Sequence, residues 1–209
     1  MTTFSTPAPI TATIDVPVGN VTVTATDRAD TAVEIRPADP SSKADVRAAE
    51  RFRAEFDGTA LTVELPRGRW NPFGGTPSVE VEVQVPTGSR LAVTLAVGRL
   101  HTAGAFDGCE LTVADGAVRI ERPRGAVTAV VARGDIRVED ASSGVLRLET
   151  STGELEVGIR PGSAARLSTH ESFGPVRNLL EPAKAGAELV EVHARNSYGP
   201  IVVGHAVAV

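Results

Sequence analysis

The residues with reactive chemistry in this 209-residue chain are few and scattered. Ser168-Thr169-His170-Glu171 sets a hydroxyl beside a base, the pairing that nucleophilic catalysis needs. In an extended strand, however, Ser168 and His170 share a face and Glu171 takes the other, so no relay of nucleophile, base and acid is implied. The four histidines, His101, His170, His193 and His205, fall in different segments without metal-ligand spacing. Asp115, Asp135, Glu139 and Glu154 could form an acidic cluster on a strand face, but their sequence offsets differ, which favours a solvated charged surface. There is no nucleophile elbow, no phosphate-cradling glycine loop and no calcium nonapeptide. These patterns predict no metal, no cofactor and no enzyme activity.

Two other groups carry binding chemistry. Arg67, Arg69, Trp70 and Phe73 lie in the Pro- and Gly-rich stretch "PRGRWNPFGGTP". Arginine and aromatic anchors on loops are enriched at interfaces, although the same rings can fold back onto the body. Arg119 and Arg137 each stand three residues after a glycine, followed two positions later by Glu121 and Glu139. That spacing predicts either a ladder of surface ion pairs, each contributing ~0–1 kcal/mol, or a basic stripe for an acidic partner. Arg133-Gly134-Asp135 spells a tripeptide known as a cell-adhesion ligand.

Composition narrows the field. Hydrophobic residues make up 42% of the chain but aromatics only 4%, so Val, Ala, Leu and Ile must build the core. Such residues pack well on pleated strands. A formal charge of −5 argues against a nucleic-acid partner, which needs a concentrated basic face. The single cysteine, Cys109, permits no intramolecular disulfide and fits a reducing compartment. No basic leader with an apolar run opens the sequence, and no segment reaches the ~20 apolar residues of a membrane span. A cytoplasmic protein is the expectation.

The elements that position these residues show a period. Glycine followed by an alternating apolar pattern starts at Gly19, Gly116, Gly134 and Gly153, with looser copies at Gly98, Gly174 and Gly199. The spacings from Gly98 to Gly153 are 18, 18 and 19 residues, the mark of stacked units. Apolar residues alternate on both sides of each glycine, and the phase slips by one across it. A corner does that, and glycine tolerates the backbone angles it needs. Arg133-Gly134-Asp135 therefore reads as a corner rather than an exposed ligand.

The expected fold is all-β: a β-solenoid-like stack of ~18-residue, two-strand rungs, with a twisted β-sandwich as the alternative. A single domain spans 1–209, with an irregular β part or cap over 1–90, regular rungs over 91–180, and an insertion and C-terminal strands over 181–209. One short helix is predicted within "DPSSKADVRAAERF", capped by Ser41 or Ser42. The apolar tail from Gly199 reads as a last strand, with a self-association edge as its second reading.

The stretches "VPVGNVTVTATDRADTAVEIRPADPSSKADVRAAE", "VEVEVQVPTGSRL", "GELEVGIRPGSAARLSTHESFGPVRN" and "VEVHARNSYGPIVV", in that order, resemble the bacterial β-strand-repeat "putative adhesin" family, a family of unknown function. The resemblance covers essentially the whole chain. It implies a strand-repeat, solenoid-like fold and supplies no catalytic residues, and the adhesin label does not itself give a function. The leading expectation is a non-enzymatic scaffold or binding protein with an unknown protein partner or itself as partner. The alternatives are a structural protein polymerising through its end rungs and, less favoured, a hydrolase on a solenoid face.

Overall fold

Alternation of Val, Leu and Ile with Thr, Glu and Arg gives extended chain almost throughout. The computed structural model describes residues 1–66, 77–180 and 187–206. The first part holds β1 (Thr2–Ser5), β2 (Thr11–Thr26), β3 (Asp30–Pro37), α1 (Lys43–Arg51), β4 (Arg53–Phe56), β5 (Ala60–Glu64) and β6 (Val79–Pro86). Next come β7 (Arg90–Gly104), β8 (Gly108–Ile120), β9 (Ala126–Arg133), β10 (Ile136–Ala141), β11 (Gly144–Thr152) and β12 (Leu155–Ile159). The chain continues through β13 (Ala164–Phe173), β14 (Val176–Asn178), β15 (Leu189–Tyr198) and β16 (Ile201–His205). Helix α1 starts where Ser42 accepts a hydrogen bond from the Asp45 amide at 3.3 Å. That bond satisfies one amide of the exposed first turn.

Strands β2, β7 and β8 run through Gly19, Gly98 and Gly116, and pair side by side in parallel over their whole lengths. Before the glycine they join β4, β5, β9, β11, β15 and β13; after it they join β1, β3, β6, β10, β12, β16 and β14. In both runs the residues expected at equivalent places pair directly: Leu111 with Ala129, Ala129 with Leu148, Val118 with Ile136, Ile136 with Leu155. Their inward side chains meet in one buried cluster of Val, Leu, Ile and Ala. Each fully buried Leu or Ile contributes about 1.5–3 kcal/mol relative to exposure. The sheet does not close on itself.

One end is built differently. There β3 pairs antiparallel with β1 and β6, and β4 antiparallel with β5, while α1 packs on β3. At the other end the stacking order departs from chain order. The tail strand β16 is not at the edge: it is hydrogen-bonded between β12 and β14, and β15 lies between β11 and β13. This corrects the expectation that the apolar tail offers an association edge. Ile201 and Val203 are apolar because they are core, and among the described residues the edges at this end belong to β13 and β14 instead.

The corner geometry explains the glycines. Gly116 has φ +146°, and a Cβ there would overlap the carbonyl oxygen of Gly98; at Gly134, φ +133°, it would overlap that of Gly116. The corner carbonyl of one unit thus rests on the Cα of the next. Thr102 is the one misfit in the interior: its hydroxyl is buried without a hydrogen-bond partner among the described residues.

Two measurements test this packing. Gly116→Ala should cost about 4 kcal/mol or more by urea unfolding. Gly162→Ala, at φ +95° with open space around it, should cost only about 1 kcal/mol. Thr102→Val keeps the shape and removes the unpaired hydroxyl, so the urea midpoint should rise, by about 1 kcal/mol of stability.

Candidate functional site

The corners form a ridge along the stack. Gly19, Gly98, Gly116, Gly134, Gly153, Gly199 and Gly174 follow one another in that spatial order, each against the backbone of its predecessor. On one side of this column stand Val97, Asp115, Arg133, Thr152, Tyr198 and Phe173, paired in register. Arg133 is 73% exposed at its side chain and reaches Asp115 at 3.4 Å. On the other side, Asp135 Oδ1 accepts a hydrogen bond from the Glu154 amide at 2.7 Å. Asn20 does the same for the Arg99 amide at 3.2 Å, at the equivalent position of an earlier unit. A short polar side chain just after a corner glycine thus ties down the next corner. In Arg133-Gly134-Asp135 the glycine makes the bend, and the aspartate holds the neighbouring backbone.

Polar groups inside the corner are satisfied the same way. Thr150 donates its hydroxyl hydrogen to the Gly134 carbonyl at 2.9 Å. Asn196 donates to the Gly153 and Pro200 carbonyls at 2.9 and 3.3 Å, and accepts from the Tyr198 amide at 3.1 Å. Both side chains are buried, and such groups are tolerated only when paired.

Arg119 and Arg137 lie on the outer face beyond the corners, directly opposite one another in β8 and β10. Arg119 pairs with Glu139 at 2.6 Å, and Arg137 with Glu156 at 3.0 Å. His101 extends the ladder to Glu121 at 2.9 Å. The arginines' charge is therefore met by carboxylates, and each exposed pair contributes ~0–1 kcal/mol. Arg67, Arg69, Trp70 and Phe73 lie outside the described residues. Ser168 and His170 both face solvent on β13. Asp115, Asp135, Glu139 and Glu154 are dispersed among the interactions above rather than gathered. Among the described residues, no three His, Cys, Asp or Glu side chains converge as metal ligands. Cys109 is buried between Leu91 and Val127, and desolvation pushes its thiol up to about 12.

The feature missed in the sequence is aromatic. Phe173 and Tyr198 stack with centroids 5.2 Å apart and planes 8° from parallel, yet they are 66% and 57% exposed. Both belong to the same tetrapeptide, Ser-aromatic-Gly-Pro, at 172–175 and 197–200. Val176, Leu179 and Leu189, also exposed, lie in the same two units. A stacked pair of exposed rings marks an interaction surface more often than an isolated apolar residue does.

The fold is similar to that of a "putative cell adhesion protein" from Clostridium sporogenes ATCC 15579. The TM-score is 0.57 over 98% of each chain, at 10% sequence identity, which shows a shared fold alone. A "putative adhesin" from Bacteroides fragilis NCTC 9343 aligns with a TM-score of 0.47 at 11% identity, over 97% of this chain and 95% of its own. A "putative lipid binding protein" from Parabacteroides distasonis ATCC 8503 aligns with a TM-score of 0.33 at 11% identity, over 98% of this chain and 94% of its own. No protein-family model matches the sequence, and neither does any curated protein. No helix among the described residues is long and apolar enough to cross a membrane.

The role of Asp135 as a corner tie is open to measurement. Asp135→Ala should lower stability by about 1 kcal/mol in urea unfolding, with faster hydrogen exchange at the Glu154 amide. Unchanged exchange there would remove that role.

Proposed function

We propose that this chain is a non-enzymatic, cytoplasmic binding scaffold with a β-solenoid fold. It engages a protein partner through the aromatic corners at the end formed by β13 to β16. One observation carries this reading: the stacked, exposed rings of Phe173 and Tyr198. Aromatic side chains bring large contact areas at small conformational cost, and they dominate binding hot spots. The parallel, in-register stacking of consecutive strand–glycine–strand units supports the solenoid over a sandwich of hairpins. The fold shared with a bacterial "putative cell adhesion protein" is in keeping with a binding role.

A second reading is self-assembly, favoured by the edges of β13 and β14. Each of these strands pairs on one side only among the described residues. Edges of this kind invite added strands.

The test replaces both rings, Phe173→Ser with Tyr198→Ser, and compares the two proteins by affinity capture from native lysate and by light scattering. The expected result is loss of the captured partner with an unchanged monomeric mass and a nearly unchanged melting curve. Loss of a higher mass in the variant supports self-assembly instead. Identical capture and identical mass in both proteins would sink the reading.

A further inference from the structure

The stacking order creates a concave site on the side opposite the glycine corners. Strand β13 lies beyond β15, so the connection 160–163 must step across an extra strand, roughly 10 Å along the stack at ~4.8 Å per strand. It starts from the Arg160 amide bonded to the Ala141 carbonyl at 2.8 Å, and ends at the Ala164 amide bonded to the Glu188 carbonyl at 2.7 Å. Beneath this span is a cleft of about 330 Å³ lined by Arg124, Ser142, Ser143, Arg160 and Glu188. The lining comes from three successive turns and the entrance to β15.

Its groups are of two kinds. Arg160 is fixed: Nε contacts both oxygens of Asp140 at 3.0 and 3.2 Å, and a terminal nitrogen takes Asp140 Oδ2. The hydrogen bonds it donates to Asp140, with further attraction from Asp140 and Glu188, raise its pKa. The other donors are uncommitted. Among the described residues Arg124 has no ion-pair partner, and the hydroxyls of Ser142 and Ser143 have no hydrogen-bond partner. Ser142 is nonetheless only 7% exposed. Its hydroxyl is not a fully buried orphan, unlike that of Thr102, and is therefore open to solvent on the cleft side.

The charges select the ligand. Arg124 and Arg160 are balanced by Asp140 and Glu188, so the surroundings are nearly neutral and a dianion gains little. A single carboxylate gains the free guanidinium and the two hydroxyls, while Glu188 accepts from a donor on the same molecule. A guanidinium holds a planar carboxylate through two parallel bonds. The volume stands at the small end of ligand pockets. We propose that this cleft binds a small molecule with a single carboxylate that also carries a hydroxyl or ammonium donor, with Arg124, Ser142 and Ser143 on the carboxylate and Glu188 on the donor. This site is independent of the aromatic corners.

Titration calorimetry on the full chain tests it with four probes: D-glucuronate, L-serine, D-glucose and inorganic phosphate. At least one of the two carboxylates should bind with a Kd below about 10 mM, and which one is tighter tells whether the donor is hydroxyl or ammonium. Glucose, lacking the carboxylate, should not bind, and phosphate should bind more weakly than the better carboxylate. Arg124→Ala should weaken the carboxylate about tenfold, and Glu188→Gln should reduce the preference for whichever donor is favoured. Both positions are on the surface, and circular dichroism checks that the variants remain folded. Absence of binding by both carboxylates, tighter binding of phosphate, or equal affinity in Arg124→Ala overturns the proposal.

Discussion

The close approach of one corner carbonyl to the Cα of the next glycine sets the geometry of the molecule. Strands in neighbouring units can pair in parallel register on both sides of a bend only if the bends themselves nest. A side chain at Gly116 or Gly134 would push its unit away from the one before it and open both hydrogen-bonded runs together. Glycine at the corner therefore fixes the register, and register in turn aligns Leu111 with Ala129 and Ile136 with Leu155 in the core. The polar ties at Asp135 and Asn20 follow from the same nesting, because each reaches the amide that the next corner presents.

Regularity also determines where binding chemistry can sit. Along the uniform part, some outward charges are matched across adjacent strands, as in Arg119 with Glu139 and Arg137 with Glu156. Two features accompany the departure of the stacking order from chain order. The exposed rings of Phe173 and Tyr198 occupy the last two corners, and the cleft around Arg124 and Ser142 lies beneath the connection that crosses β15.

Much of this was legible in the sequence, because alternation and glycine spacing report backbone geometry directly. The strands before and after Gly98, Gly116, Gly134 and Gly153, the helix with Ser42 as its cap, and the phase slip at each corner all leave local signatures. The interleaving of β15 and β16 leaves none, since Ile201 and Val203 look alike whether a strand is internal or at an edge. The aromatic pair did leave a signal, the twin Ser-aromatic-Gly-Pro tetrapeptides. Its meaning required knowing that units 25 residues apart are neighbours in space. The cleft depends entirely on that interleaving, so no local pattern could announce it. Thr102 shows the limit on the other side: its inward position is legible, but its lack of a partner is a matter of three-dimensional packing.

The interleaving has a kinetic side as well. Strands β13 and β14 pair only with β15 and β16 among the described residues, so segments made earlier by the ribosome must wait for ones made later. Until the last strands emerge, residues 164–178 have no backbone to join, and the face of β11 and β12 that will receive β15 and β16 stands open. A growing chain must keep that slot from being filled by its own β13, whose side chains alternate in the same way. The polar residues Thr169 and Asn178, placed in register with Ala194 and Val203, make β13 and β14 poorer occupants of the slot than the strands that finally take it.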